Sequence, residues 1–314
     1  MRVATIDIGT NTTLLLVAEC DSDGTLFPIL ERATITRLGE GVDRYRRLAP
    51  EAIARTVASL DEFASLVSKA GVDRIAIVGT SAMRDAAGGE SLRAHVRSSF
   101  GVDAQVLSGQ EEARLTFRGA LSGLSLGQRS REIAVIDIGG GSTEVVVGQM
   151  GKPHPVLRFA ESFDIGSVRL TERFVTHDPP SAAELDAIKR FALDTFRGVP
   201  ELEPGATAVG VAGTVTTLAA VGLGIVPYDG ARAHGAVLAR EDIRATIDRL
   251  ATVDLESRRN IPGMEPKRAD VIVAGGIVTL TLLERWNAPA LVVSDRGVRW
   301  GLAEELVRGP APTD

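Results

Sequence analysis

Two short segments carry the residue types that phosphate chemistry needs. Asp7-Ile8-Gly9-Thr10-Asn11-Thr12 and Asp137-Ile138-Gly139-Gly140-Gly141-Ser142 each set a carboxylate at the end of an apolar strand pattern, followed by a turn rich in glycine and hydroxyls. A phosphate is well held by several backbone N–H groups converging in a turn, and glycine permits both the φ angles and the close approach this takes. Ser142 adds a hydroxyl donor to the second turn, and Thr10, Asn11 and Thr12 add side-chain donors to the first. A third segment, Val211-Ala212-Gly213-Thr214-Val215-Thr216-Thr217, reads as a strand over Thr207 to Ala212 running into a turn at Gly213-Thr214, leading toward a helix whose N-terminus favours an anion. Asp7 and Asp137 would repel a bare phosphate, so a hard cation is expected to bridge them, with Mg²⁺ the natural partner and Glu144 a further oxygen ligand. The bland alternative is a pair of hairpin turns, each capped by its own Asp. Repetition at a fixed internal offset of 137 − 7 = 130 residues weighs against that alternative.

Ser108-Gly109-Gln110-Glu111-Glu112-Ala113-Arg114 opens a helix pattern. Its glutamates either complement the helix dipole or orient and deprotonate a water attacking phosphorus, and the residues alone leave these two readings level. Basic candidates for an anion path are Arg37, Arg44, Arg46, Arg47, Arg84, Lys267, Arg268 and Arg299, although a surface arginine is usually only a solvated charge. His95, His154, His177 and His234 show no metal-ligand spacing, and the single cysteine, Cys20, reads as a small buried hydrophobe.

The elements that must position these groups repeat as well. Each half opens with an antiparallel meander and continues as helix, strand, helix, strand. After Pro50, Ile53, Val57, Leu60, Ala64 and Val67 recur at helical spacing up to Gly71, where a C-cap belongs. Ser181-Ala182-Ala183-Glu184 is a capping box opening another helix. The expected division is a first domain over 1–120, a second over 121–297, a last helix over about 298–309 packing back on the first, and a frayed tail over 309–314. The chain of 314 residues is 44% hydrophobic and 24% charged, as expected of a globular protein with a sizeable core. A net charge of −6 argues against a broad nucleic-acid surface, and no apolar run approaches the roughly 18 residues of a membrane span, so no nucleic-acid or membrane partner is expected. A cytoplasmic homodimer is the expected state.

These motifs, with Arg37-Leu38-Gly39-Glu40-Gly41-Val42, Thr80-Ser81-Ala82-Met83-Arg84-Asp85-Ala86 and Ser294-Asp295-Arg296-Gly297, resemble the exopolyphosphatase and guanosine pentaphosphate phosphohydrolase family. The two Asp-Ile-Gly motifs specify only its superfamily of sugar kinases, acetate kinases and actin, and the segments between them narrow it to the family. The resemblance implies an α/β fold of two duplicated actin-like (ribonuclease H-like) domains with an active-site cleft between them. It implies hydrolysis of terminal phosphoanhydride bonds in inorganic polyphosphate or guanosine pentaphosphate, with Mg²⁺. It places the catalytic glutamate on Glu112, leaving Glu111 as a capping residue, and places phosphate contacts on the two Gly-rich turns. The expected site is therefore Glu112 as catalyst, with Gly9, Thr10, Asn11, Thr12, Gly139, Gly140, Gly141, Ser142, Gly213, Thr214, Arg84 and Arg268 on phosphate, and Asp137, Glu144 and Asp7 on the metal. This chain departs from many members in carrying Leu14 where a basic residue is frequent, and Arg299-Trp300-Gly301 where Arg-Glu-Gly is frequent. An ATP-dependent kinase of the same superfamily, or a non-catalytic polyphosphate or nucleotide sensor, are the alternatives.

Overall fold

The computed structural model describes residues 1–126, 132–151 and 155–309. His154, the stretch 127–131 just after the expected domain boundary, and the tail beyond 309 lie outside the described residues. The chain divides into two compact units, Met1–Gly119 with Val298–Asp314, and Ala120–Gly297.

In the first unit β1 (Arg2–Ile8), β2 (Thr12–Cys20) and β3 (Leu26–Ile35) form the meander. Helices α1 (Val42–Tyr45) and α2 (Pro50–Ala70), strand β4 (Arg74–Gly79), helices α3 (Ser81–Asp85) and α4 (Glu90–Phe100), strand β5 (Ala104–Val106) and helix α5 (Gly109–Leu121) follow. The sheet order is β3-β2-β1-β4-β5, with β4 parallel to β1 and β5 parallel to β4. In the second unit β6 (Ile133–Ile138), β7 (Thr143–Gln149) and β8 (Val156–Phe163) repeat the meander. Then come α6 (Ser167–Phe174), α7 (Ala182–Thr195), β9 (Thr207–Val211), α8 (Ala212–Leu223), α9 (Gly230–Ala233), β10 (Val237–Ala239), α10 (Arg240–Ala251), α11 (Leu255–Arg259), a 3-10 turn at Pro266–Arg268, α12 (Ile272–Arg285) and β11 (Ala290–Val293). That sheet runs β10-β11-β9-β6-β7-β8, with β9 parallel to β6 and β11 parallel to β9. Three antiparallel strands followed by two parallel ones, in one spatial order in both units, is the actin-like, ribonuclease H-like domain present twice. An extra antiparallel strand, β10, lies at the edge of the second copy.

The central strands β1 and β6 are buried along almost their whole length, as strands covered on both faces must be. Helix α2 has Pro50 in its first turn and ends at Gly71 in the left-handed region, φ 63°. Its most buried stripe is Ala52, Thr56, Ser59, Leu60, Phe63 and Val67, with Ile53, Val57 and Ala64 only partly covered, so the expected stripe is rotated by about one residue. Thr56 can face the core because its hydroxyl donates to the Ala52 carbonyl (2.8 Å). Helix α7 opens with the full capping box of Ser181 and Glu184. Helix α12 is buried over most of its length, and it packs with α6, α7, α8 and α10 in the core of the second unit. Among the described residues no helix is long and apolar enough to cross a membrane.

The last helix, α13 (Val298–Arg308), belongs to the first unit. Trp300 is fully buried against Val3, Leu16 and Ala18, and Thr5 donates to the Arg299 carbonyl (2.9 Å). Gly301 allows α13 to meet α5 main chain to main chain, since a Cβ there would stand 2.0 Å from the Leu115 carbonyl oxygen. That oxygen is backbone and cannot swing aside. Gly301→Ala should therefore destabilise the protein by about 1–3 kcal/mol, read as a fall of several degrees in melting temperature. An unchanged melting curve would show that α13 does not need this close approach.

Candidate functional site

The two Gly-rich turns are built alike. The Gly9 N–H donates to the Thr12 carbonyl (3.2 Å), and the Gly139 N–H donates to the Ser142 carbonyl (3.1 Å). In each unit the chain leaving the third strand braces the turn from behind. Thr36 and Arg37 donate their N–H groups to the Asn11 carbonyl, and Val168 and Arg169 donate theirs to that of Gly140. The close approaches leave no room for side chains: a Cβ on Gly39 would meet Thr10, and one on Gly166 would lie 2.5 Å from the Gly140 carbonyl carbon. Arg169, not anticipated as a site residue, is buried and donates from Nε to the Gly141 carbonyl (2.7 Å).

With their carbonyls engaged from behind, the turns keep their donors on the other side. Among the described residues, the N–H groups of Gly140, Gly141 and Ser142 donate to no protein acceptor, nor do those of Thr10 and Asn11. All five residues are buried, and both polar atoms of the Asn11 side-chain amide are without a partner. Buried donors left unpaired are costly, and a set of them converging in a turn is the arrangement that receives an anion.

Each turn follows a carboxylate, and here the copies differ. Asp7 stands opposite Leu14 across β1 and β2, whereas Asp137 stands opposite Glu144 across β6 and β7. Directly opposed residues present their side chains on the same face, so Asp137 and Glu144 form a pair of carboxylates, 8% and 1% exposed. Ser162, on β8, donates to Glu144 Oε1 (2.7 Å). Among the described residues no group of three or more His, Cys, Asp or Glu side chains makes a ready-made metal site. Two hard carboxylates fit Mg²⁺, which is commonly held by one or two carboxylates and completes its shell with substrate phosphate and water.

In the first unit, Glu112 is buried, 5% exposed, and Arg84 donates to it from Nη1 to Oε2 (2.9 Å). The same Nη1 donates to the Leu107 carbonyl (3.0 Å), and Arg84 Nε lies 3.6 Å from Asp85. Glu111, its exposed neighbour, is a cap: the Ser108 N–H and hydroxyl both donate to Glu111 Oε2 (2.8 and 2.7 Å), and the Glu111 N–H returns to Ser108 Oγ. A single step along the helix, about 100° around its axis, thus separates a structural glutamate from a buried, arginine-held one.

The third segment needs a correction. Gly213 and Thr214 are not turn residues; they lie in the first turn of α8, which begins at Ala212. The reversal after β9 is made by Ala212 itself at φ 65°, a region more usual for glycine. Thr214 Oγ1 donates to the Ile138 carbonyl (3.2 Å), which ties the start of α8 to the end of β6. The Arg268 guanidinium lies on Gly213, where a Cβ would stand 1.2 Å from Nη1. Burial pushes the Arg268 pKa down, with Glu265 and Tyr228 opposing that shift. Among the other basic candidates, Arg299 pairs with Glu31 (2.6 Å), and Arg44, Arg46 and Arg47 are exposed, with Arg44 over the Tyr45 ring. His95, His177 and His234 each lie against a carboxylate, of Asp61, Glu184 and Asp295 respectively.

Comparison with known proteins converges on one family. The model of the Ppx/GppA phosphatase family matches residues 16–308. Exopolyphosphatase 2 of Mycobacterium tuberculosis is 38% identical over 97% of this chain and 98% of its own length. Exopolyphosphatase 1 of Mycobacterium bovis is 31% identical, with 96% of this chain and 87% of that protein covered. Among solved structures, the Aquifex aeolicus member of the Ppx/GppA family superimposes with a TM-score of 0.82 at 35% identity, covering 99% of both chains.

The capping role of Glu111 carries a pH signature. The hydrogen bonds from Ser108, backbone first and then side chain, hold the Glu111 carboxyl below its ordinary value of 4.5. Its stabilising contribution is therefore complete above that ordinary value and is lost as pH falls through the lowered one. Glu111→Gln should melt below wild type near neutral pH, with the gap closing as the pH falls below the ordinary carboxylate value and through the lowered one. A gap independent of pH would show that the carboxylate charge plays no part in the cap.

Proposed function

Because the chain belongs to the Ppx/GppA phosphatase family, we propose that it is an exopolyphosphatase, hydrolysing the terminal phosphoanhydride bond of inorganic polyphosphate. Guanosine pentaphosphate, cut to the tetraphosphate, is a second candidate substrate. The observation that carries this reading is the set of buried, unpaired N–H groups at Gly140, Gly141 and Ser142, matched in the first unit at Thr10 and Asn11. Donors of this kind suit successive phosphates of a polyanion and ask nothing of a base or sugar. The relatives named as exopolyphosphatases support the choice of polyphosphate.

The roles divide between the units. Gly140, Gly141 and Ser142 hold phosphate oxygens through main-chain N–H groups, while the Gly139 N–H closes the turn; Thr10 and Asn11 offer a second such set, in a turn closed by the Gly9 N–H on Thr12. Arg268, over the start of α8, gives a charged donor, and Thr214 anchors that start. Glu112, oriented by Arg84, accepts the proton of a water as its oxygen attacks the terminal phosphorus, and the bond to the bridging oxygen breaks. The leaving group is the chain shortened by one phosphate. Asp137 and Glu144 would hold Mg²⁺, with Asp7 the corresponding carboxylate of the first copy; the ion, when bound, offsets negative charge on the phosphate oxygens. Arg84 acts here first on Glu112, a more specific part than a surface path for the polyanion.

Incubation with polyphosphate and Mg²⁺, without any acceptor, should release phosphate; release that requires an acceptor would identify a kinase instead. Glu112→Gln should lower kcat by about a hundred- to ten-thousand-fold and leave KM within a few-fold, because a general base acts mainly in the transition state. Glu111→Gln should keep kcat within about twofold. The opposite pattern would move the base to Glu111. Asp137→Asn should remove Mg²⁺-dependent turnover with an unchanged melting temperature, whereas near-wild-type activity would reduce Asp137 to a turn residue.

A further inference from the structure

The second unit contains a buried arginine that the chemistry above does not use. Arg258, in α11, is 2% exposed, and the nearest carboxylate, that of Asp178, is 4.0 Å away. An arginine cannot shed its charge, so a buried guanidinium must find acceptors for its donors. Arg258 finds three main-chain carbonyls: Leu250 from Nε (2.8 Å), Val253 from Nη2 (2.8 Å) and Ala269 from Nη1 (2.9 Å). The first two belong to the C-terminal end of α10 and the turn beyond it, where helix carbonyls lack partners of their own. The third belongs to the residue immediately after Arg268. The guanidinium therefore cross-links α10 to the 3-10 turn at Pro266–Arg268.

A second brace holds the same stretch. Gly263, at φ 85°, lies against α8, where a Cβ would stand 2.3 Å from the Ala220 carbonyl oxygen, and the next residue, Met264, is buried. Between these fixed points the chain carries Arg268 to the other end of α8, where its guanidinium lies on Gly213. Burying an arginine whose nearest carboxylate is 4.0 Å away is a poor way to fill space, since an apolar side chain of similar volume costs less. The planar fork reaches carbonyls of two segments from three separate nitrogens, where an ammonium has all its donors on one atom.

We infer that Arg258 is a positioning residue, fixing the 3-10 turn so that Arg268 presents its guanidinium at the start of α8. The inference rests on the reading of Arg268 as a phosphate contact. A lysine at 258 keeps the charge but cannot span the three carbonyls, and a methionine keeps only the bulk.

The test is a double-mutant cycle of Arg258→Lys and Arg258→Met with Arg268→Ala, reading KM and kcat on polyphosphate, competition by inorganic phosphate, and melting temperature. Arg268→Ala should raise KM by about tenfold. Arg258→Lys should raise it by about the same order, with kcat within about threefold, and should add nothing in the Arg268→Ala background. If Arg258→Met does not fold, the lysine variant carries the test alone. An unchanged KM in folded Arg258→Lys overturns the inference, as does a KM effect that persists undiminished without Arg268. An Arg268→Ala variant with wild-type KM removes the phosphate role of Arg268 and the inference together, and it leaves the roles of Glu112 and the Gly-rich turns standing.

Discussion

A carboxylate with 5% of its surface exposed has to be met by donors or positive charge, and the way Glu112 is met organises the first unit. Arg84 reaches it from α3, and the same guanidinium holds the Leu107 carbonyl. The Leu107 N–H in turn donates to the Gly79 carbonyl at the end of β4 (2.9 Å). The ends of two parallel strands, a short helix and the start of α5 are thereby tied through one ion pair. Gly79 has no side chain because Met83 occupies that place, where a Cβ would lie 2.3 Å from its sulfur. The Ser108 and Glu111 cap then fixes where α5 begins, and so which of two adjacent glutamates turns inward.

The duplicated scaffold shows how two copies of one fold are given different tasks. Strand order, turn hydrogen bond and rear brace are shared, and the difference is concentrated at one register position. The residue opposite the strand-end aspartate is Leu14 in one copy and Glu144 in the other. A leucine across the sheet adds no oxygen ligand to its aspartate, whereas two opposed carboxylates match the one or two that commonly hold Mg²⁺. The copy that lacks the pair carries Glu112 and Arg84 instead.

Much of this was legible in the residues. The internal offset exposed the duplication, alternation exposed the meanders, and Ser181 with Glu184 marked a helix start before any coordinates. The family's motifs separated Glu112 from Glu111, which residue type alone could not do. Other features depended on contacts that spacing does not encode. Arg84 and Glu112 are 28 positions apart, and nothing local pairs them. The start of α8 was misread because Ala212 adopts a backbone conformation that sequence reasoning reserves for glycine. The stripe of α2 was misplaced because Thr56 hides its hydroxyl against its own helix. Arg169 and Ser162 were missed because their partners lie 28 and 18 positions away, and Arg258 because its carbonyls, 8, 5 and 11 positions away, follow no motif that side-chain spacing encodes.

The central claim is that a water attacks the terminal phosphorus of a polyphosphate chain. Turnover in water enriched in oxygen-18, with mass analysis of both products, tests it directly. The account predicts one oxygen-18 atom in each released phosphate and none in the shortened chain. Label in the shortened chain, or phosphate released without label, would contradict it.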